Sequence, residues 1–302
     1  MVIHWLWVLP FVLLLIGGLI YKAYRHRGEH HHHHGFGHKH GEATIAVDTY
    51  AYHSGIAHWN PAFKVVLSIV LLLFCVISNS VEVSLIIICF TTFVTVVLGD
   101  LSFHHYFEML TIPLVFLIVG SVIILVNFSW TPMTNVILCL PVFNFFVIIT
   151  HDSLYVTVHL WARAFGALSA MYMMSLSTMS NEIFSVLRKA HVPALLIELM
   201  NMIYRNIFIM ADTQNRMRNA AESRLGYVDY RTSLKSFGST ISNLFIVSLK
   251  RSGHLFDAME ARCYDGELLF LETEKPLNAK LILMALGVVT YCVLVWVMTR
   301  GV

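Results

Sequence analysis

Long apolar runs separated by short polar segments make up most of this chain. Because roughly 20 apolar residues cross the hydrocarbon core of a bilayer, each run predicts a transmembrane helix. The runs cover residues 5–21, 62–78, 83–98, 111–128, 153–179 and 277–298. Hydrophobic residues form 57% of the chain and charged residues 13%, against about 45–50% and about 25% in soluble domains. The sequence therefore predicts an all-α integral membrane protein with about six transmembrane helices.

The distribution of basic residues predicts the orientation of these helices. Lys22 and two arginines follow the first run, whereas nothing basic precedes it, so the positive-inside rule places the N-terminus outside the cytoplasm. Six spans then place the C-terminus outside as well. Residues 129–150 are apolar but contain Pro132 and Pro141, which indicates a re-entrant or partly buried external segment.

The span over residues 153–179 carries Arg163 near its middle. A charged side chain inside a span is costly in lipid, so we expect Arg163 to contact protein or a partner subunit. The other confident spans contain no Asp or Glu, which disfavours a stand-alone metal channel or carrier.

Residues 180–274 differ from the rest of the chain because they are largely polar and basic. Eleven of the 20 Lys and Arg residues fall between residues 180 and 262, which predicts a cytoplasmic location. Pro193 stands where a long helix begins, as proline can at a first helical position, and a second long helix follows. Both helices are amphipathic, and we expect them to lie in an adaptable protein groove or, alternatively, on anionic lipid.

The two cytoplasmic helices end in similar motifs, in which a small residue precedes an arginine. Gly226 predicts the end of the first helix, since glycine commonly terminates helices. Arginine carries a permanent charge and a fork of donors, so both motifs are candidates for contact with a partner protein. The candidate residues are Ser223, Arg224, Gly226, Ala261, Arg262 and Cys263.

Histidines are concentrated in the linker that follows the first span. Neutral imidazole binds cobalt, nickel, copper and zinc, so the linker predicts transient Co²⁺ or Ni²⁺ binding without a resident cofactor. Its internal position distinguishes it from an expression tag, which normally lies at a terminus. The candidate ligands are His30, His31, His32, His33, His34, His38 and His40.

Other motifs limit the remaining classes of function. The five cysteines are isolated and show no C-x-x-C pair, so neither a disulfide framework nor a thiolate zinc site is indicated. The sequence lacks the G-x-x-x-x-G-K-[ST], H-E-x-x-H and G-x-S-x-G patterns, so we expect no catalytic activity. The net charge of +2 does not indicate a nucleic-acid partner. A membrane-anchored metal buffer built on the histidines stays an alternative.

Together these motifs make the chain similar to the transmembrane T component, of the CbiQ type, of energy-coupling-factor importers. The likeness covers about residues 46–300 and rests on residues 48–52, Pro61-x-x-Lys64, residues 163–165, residues 187–193 with Tyr204-Arg205, and residues 258–264. In that family the helix tip is typically Ala-Arg-Gly. Here the first tip reads Ser-Arg-Leu-Gly, and Cys263 replaces glycine in the second, while the arginine and the small residue before it are kept.

The resemblance implies a division of labour within a complex in the cell membrane of a bacterium or archaeon. Two CbiO-like ABC ATPase subunits would hydrolyse ATP, and a CbiM-like subunit would bind the metal, with a small CbiN-like subunit as a further candidate partner. This chain would join them, with the two tips on the ATPases and Arg163, Pro193 and Arg205 at subunit contacts. The expected cargo is cobalt for cobalamin biosynthesis, with nickel or a vitamin as alternatives.

On this interpretation the chain has five regions. They are an extra N-terminal transmembrane helix over residues 1–28, a His-rich cytoplasmic linker over 29–45, T-component membrane helices over 46–179, cytoplasmic coupling helices over 180–274, and a C-terminal transmembrane helix over 275–302.

Overall fold

A computed structural model describes residues 7–26, 43–125, 127–129, 136–142, 145–265 and 275–300. Ten α-helices occur in this part of the chain, and α4 continues directly into a π-helical segment, Phe93–Leu98. Helices α1 to α10 cover Leu9–His26, Ala43–His53, Pro61–Ser78, Val81–Thr92, Phe103–Leu125, His151–Ser177, Ser180–Lys189, Ala194–Ser223, Tyr230–Glu260 and Ala279–Arg300.

The chain divides into two compact units. The first, called here the membrane unit, comprises residues 1–37, 47–179 and 274–302. The second unit comprises residues 38–46 and 180–273, and its long elements are α8 and α9. The chain contributes residues 38–46 to the second unit, returns to the membrane unit, passes to the second unit again after Met179 and returns before Glu274.

Helix α6 packs along both α3 and α4 at the centre of the membrane unit. Gly166 lies so close to Cys75 and Ser84 that an added Cβ would collide with the cysteine sulfur. Thr91 Oγ1 donates a hydrogen bond of 2.9 Å to Ser169 Oγ. Small residues and interhelical hydrogen bonds are the usual basis of helix packing in a bilayer. The polar composition of α6 is therefore compatible with its central position.

Five helices in the described part are long and apolar enough to cross a membrane, namely α3, α4 with its π-helical extension, α5, α8 and α10. The apolar part of α1, Leu9–Lys22, is shorter. Helix α6 is not among the five because of its polar residues, and α8 is included because its first half is apolar. The sequence predicts a cytoplasmic location for α8, because Lys and Arg residues are concentrated between residues 180 and 262. The prediction of an all-α, multi-pass membrane protein is confirmed.

Residues 127–150 add a small antiparallel sheet to the helices, with strand order β1-β3-β2. The strands are β1 (Asn127–Ser129), β2 (Val136–Val142) and β3 (Phe145–Thr150). Strands β2 and β3 pair along their length, so their backbone donors and acceptors bond one another, as an apolar environment requires. The sequence predicts a re-entrant or partly buried external segment here and does not predict strands. The two short apolar stretches do not by themselves distinguish strand from helix.

Helix α1 is bound into the membrane unit. Gly18 faces Phe93, where an added Cβ would lie 2.7 Å from the ring. Lys22 Nζ donates hydrogen bonds of 2.7 Å to the carbonyls of Val96 and Leu101, and it forms a 3.2 Å ion pair with Asp100. The lysine thereby bonds one carbonyl near the end of the π-helical segment and one in the loop that follows it, and such carbonyls have no partner within a helix.

Candidate functional site

The first candidate tip follows α8. The N–H of Gly226 bonds the carbonyl of Ala221 at 2.8 Å, and the N–H of Leu225 bonds that of Glu222 at 3.0 Å. These two bonds form a Schellman motif, in which the residue after the cap has a left-handed backbone. Leu225 has that conformation, with φ of 58°. Arg224 is the cap residue of α8.

The second candidate tip repeats this turn after α9. The N–H of Tyr264 bonds the carbonyl of Met259 at 3.1 Å, and the N–H of Cys263 bonds that of Glu260 at 3.0 Å. Cys263 has φ of 58°, the same value as Leu225. Arg262 therefore occupies the position in the second turn that Arg224 occupies in the first.

The common geometry explains a departure from the family's tip. Glycine adopts left-handed backbone readily, whereas other residues are strained there. The left-handed residue is the one directly after each arginine, which is where the resembling family typically has glycine. Helix α8 was expected to end at Gly226, but it is Leu225 that has the left-handed backbone of the turn. Gly226 is needed for space instead, because an added Cβ would lie 2.8 Å from both the Ala221 carbonyl and Ser236 Oγ.

Both tip arginines are exposed. Two arginines of α8 are paired within their helix, with Arg216 at 2.8 Å from Asp212 and Arg218 at 2.8 Å from Glu222. Neither Arg224 nor Arg262 forms an ion pair or side-chain hydrogen bond with any residue that the structure describes. Each is a positive charge at a helix C-terminus, where the helix dipole favours cations.

Helices α8 and α9 form a hairpin whose two ends are both fastened. At the turn, Gly226 packs against Ser236 of α9. At the other end, Tyr264 Oη donates a 3.3 Å hydrogen bond to Glu198 Oε2, and Glu198 is only 5% exposed. Helix α9 has 31 residues and is about 45 Å long. The two arginines therefore lie at opposite ends of a closed hairpin, about one helix length apart.

The other predicted contact residues are not brought to these tips. Pro193 precedes α8 directly and is its N-cap residue, which agrees with the expected helix start. Arg205 is exposed on α8.

Arg163 is at the middle of α6 but not at mid-height of the packed helices. Cys75 Sγ donates to its backbone carbonyl at 3.5 Å, and Cys75 is three residues before the end of α3, or about 5 Å along the helix. Arg163 Nε is buried and has no hydrogen-bond partner in the described part of the chain.

The structure does not bring metal ligands together in the part it describes. No group of three or more His, Cys, Asp or Glu side chains there is arranged to hold a metal ion. The predicted ligands His30 to His34, His38 and His40 lie outside the described residues. Their metal binding stays a prediction.

The sequence analysis missed several residues that shape the tips. It noted the two arginine motifs but not that Leu225 and Cys263 occupy equivalent backbone positions, nor the bond between Tyr264 and Glu198. The available signal was the alignment of Ala-Glu-Ser-Arg-Leu-Gly (221–226) with Met-Glu-Ala-Arg-Cys-Tyr (259–264), which pairs Leu225 with Cys263.

These features define a multi-pass membrane protein with a separate helical unit that presents two equivalent arginine turns. Residues 53–272 match the family model for CbiQ, described as cobalt transport protein. The chain belongs to this family, and the resemblance inferred from its motifs is confirmed.

Known relatives agree with this assignment. The chain is 31% identical over 237 residues to an uncharacterised protein of Methanocaldococcus jannaschii, covering 78% of this chain and 87% of that protein. It is 30% identical over 200 residues to a putative fused cobalt transport protein CbiMQ of Methanocorpusculum labreanum, covering 65% of this chain and 33% of the fused protein. It is 25% identical over 223 residues to the cobalt transport protein CbiQ of Salmonella typhimurium, covering 73% and 97%.

Proposed function

We propose that this chain is the membrane coupling subunit of an energy-coupling-factor importer for cobalt. It links two CbiO-like ATPase subunits to a CbiM-like membrane subunit that binds the metal, with a CbiN-like subunit as a further partner. The observation that carries the proposal is the repetition of one Schellman turn after α8 and α9, each presenting an exposed arginine with no ion-pair partner among the described residues.

The tips are suited to docking in acidic grooves. A guanidinium group can donate two parallel hydrogen bonds to a carboxylate, and the small residues Ser223 and Ala261 allow the groove to approach the backbone closely. Because the arginines lie about one helix length apart, each can engage a different ATPase subunit. Closure of the ATPases on ATP would then displace both ends of the hairpin together.

The partner that binds the metal is supported by the fused relative. One chain of Methanocorpusculum labreanum is named a putative fused CbiMQ protein, and fusion keeps two cooperating proteins at a high effective concentration. We therefore propose that a CbiM-like protein accompanies this chain and that its cargo is cobalt. The seven-histidine linker would hold Co²⁺ or Ni²⁺ transiently near the complex.

The test is affinity purification of this protein from native membranes, followed by identification of the proteins that accompany it. The test variant carries Arg224→Glu and Arg262→Glu, and the control carries the same charge reversal at Arg251, which is exposed in the second half of α9. We expect an ABC ATPase and a second membrane protein with the unaltered chain and the control. The ATPase should be lost from the double variant, while the membrane partner is retained.

Other outcomes would favour the alternatives. Recovery of this protein alone, with bound metal, would contradict the coupling function and favour a metal buffer or stand-alone carrier. An accompanying membrane subunit that binds nickel or a vitamin would keep the coupling function and replace the cargo. Retention of the ATPase by the double variant would remove the two tips from the proposed mechanism.

A further inference from the structure

The long segment of the second unit, residues 180–273, is joined to the membrane unit at each of its two ends, and both junctions adjoin a contact inside the membrane unit. The chain leaves the membrane unit after Met179, just beyond the end of α6, and it returns at Glu274, just before α10. We call each of these two junctions of the chain between the two units a crossing. A crossing passes movement of one unit to the other only where its end is held firmly. The contacts of residues 177 and 275 therefore bear on how the membrane helices respond to movement of α8 and α9.

The first crossing is held by Lys64. This lysine is on the first turn of α3, is 2% exposed, and donates a hydrogen bond of 2.5 Å to the carbonyl of Ser177. It also lies 3.5 Å from the carbonyl of Ile56. The last carbonyls of a helix have no partner within the helix, and a cation there also interacts favourably with the dipole. Lys64 thus joins the C-terminus of α6 to the loop before α3.

The second crossing is held by a reciprocal pair of hydrogen bonds. Lys275 Nζ donates to the carbonyl of Ala57 at 2.6 Å, and Asn60 Nδ2 donates to the carbonyl of Lys275 at 2.8 Å. Asn60 Oδ1 also accepts from the N–H of Ala62 at 3.0 Å, so the same side chain caps α3. The lead-in to α10 is therefore attached to the residues that begin α3.

Both crossings reach the same short segment, residues 54–60, which we call the anchor turn. The anchor turn is itself fixed against the end of the π-helical segment. The N–H of Gly55 bonds the carbonyl of Gly99 at 3.2 Å, and an added Cβ on Gly55 would lie 2.6 Å from the Leu98 carbonyl. Ile56 is 2% exposed and belongs to the core of the membrane unit.

We propose that the anchor turn, with Lys64, Asn60 and Lys275 as positioning residues, is the point at which displacement of the second unit enters the membrane helices. This inference rests on the proposed coupling function and deepens it. Because both crossings are tied to one rigid turn, α3, α6 and α10 receive the displacement together. Releasing one crossing lets the ATPases cycle while less of the movement reaches the membrane helices.

The test uses the complete complex of this chain, its ATPases and its metal-binding subunit in proteoliposomes. The variant is Asn60→Ser with Lys275→Met, because Lys64 is buried and its replacement would threaten folding. Serine retains a hydroxyl that can cap α3 but is too short to reach residue 275. The matched control is Lys280→Met on α10, an exposed lysine without a contact to the anchor turn. The measured quantity is cobalt taken up per ATP hydrolysed.

We expect the double variant to assemble and hydrolyse ATP. Its cobalt uptake per ATP should fall by about fivefold or more, which is in the range of measured coupling between sites. The single variant Lys275→Arg, which keeps the native Asn60, should restore the ratio of cobalt taken up to ATP hydrolysed. The control Lys280→Met should leave that ratio unchanged. An unaltered ratio in the assembled variant would overturn the inference, and so would loss of assembly, which would show a purely structural role. Absence of ATPases from the unaltered complex would instead overturn the proposed function.

Discussion

Replacing Leu225 by glycine should stabilise the turn that presents Arg224, although glycine substitutions near helices usually destabilise. The reason is the left-handed backbone of Leu225, with φ of 58°, which costs a residue with a Cβ about 1–2 kcal/mol. Leu225 is 72% exposed, so its removal loses only about 0.5 kcal/mol of burial. Glycine also raises the backbone entropy of the unfolded chain, which reduces the gain in stability by about a further 0.5 kcal/mol. The net expectation is stabilisation by a few tenths to about 1 kcal/mol.

Leu249→Gly is the matched control, because Leu249 has ordinary helical geometry in α9 and is 58% exposed. There glycine loses about 1 kcal/mol of helix propensity and a comparable amount of burial. The two substitutions should therefore change local stability in opposite directions, with a difference of about 2 kcal/mol or more. Cys263→Gly should behave like Leu225→Gly at the second tip, since Cys263 has the same φ and a smaller exposed side chain.

Amide hydrogen exchange on the purified protein in detergent measures these changes locally. Exchange in residues 221–228 should slow severalfold in Leu225→Gly, whereas exchange around residue 249 should quicken about thirtyfold in Leu249→Gly, since each 1.4 kcal/mol is tenfold. Faster exchange of the Gly226 amide in Leu225→Gly would refute the reasoning, because that amide closes the turn.

Three further predictions use thermal unfolding and hydrogen exchange. Gly226→Ala should destabilise the hairpin by about 1–3 kcal/mol through overpacking at its turn, whereas Gly238→Ala, with nothing near its Cβ position, should stabilise α9 by up to about 1 kcal/mol. Gly18→Ala should lower the melting temperature, because the added methyl group would collide with the π-helical segment. Gly17→Ala should not lower it, because there is open space at that position. Equal effects of the two substitutions would show that α1 is not packed as described. Tyr264→Phe should cost about 1 kcal/mol and quicken exchange at the second tip alone; an unchanged second tip would mean that the bond to α8 does not fasten it.

The membrane helices were the most predictable part of this fold. An apolar run bounded by polar residues specifies a span almost directly, and α3 begins at Pro61 and ends at Ser78, within a residue of the predicted run. The apolar run over residues 153–179 predicts α6 as a span, but not its packing against α3 and α4, because contacts such as Gly166 against Cys75 join two distant parts of the chain. The strands β2 and β3 are not predicted, because two short apolar stretches do not by themselves distinguish strand from helix.

The tips show a different limit of sequence reasoning. The arginines were found because a charged residue beside a small one is conspicuous in an apolar chain. The sequence predicts that the first helix ends at Gly226, because glycine commonly terminates helices, and it does not single out Leu225. The strain at Leu225 is set by the hydrogen bonds of the turn, and only the backbone geometry reveals it.

The second unit and the membrane unit use cations at helix ends in two different ways. In the membrane unit, Lys22 and Lys64 donate hydrogen bonds directly to carbonyls near helix ends, so their donors are used within the fold. At the first tip, Arg224 also stands at a helix C-terminus, but the carboxylate nearest to it in sequence, Glu222, is already paired with Arg218 at 2.8 Å. That pairing keeps Glu222 from neutralising Arg224, while the helix dipole stabilises the arginine's charge without using its donors. In the proposed docking, Arg218 would therefore act without contacting a partner, because its pairing with Glu222 leaves the guanidinium group of Arg224 available for a carboxylate outside the chain.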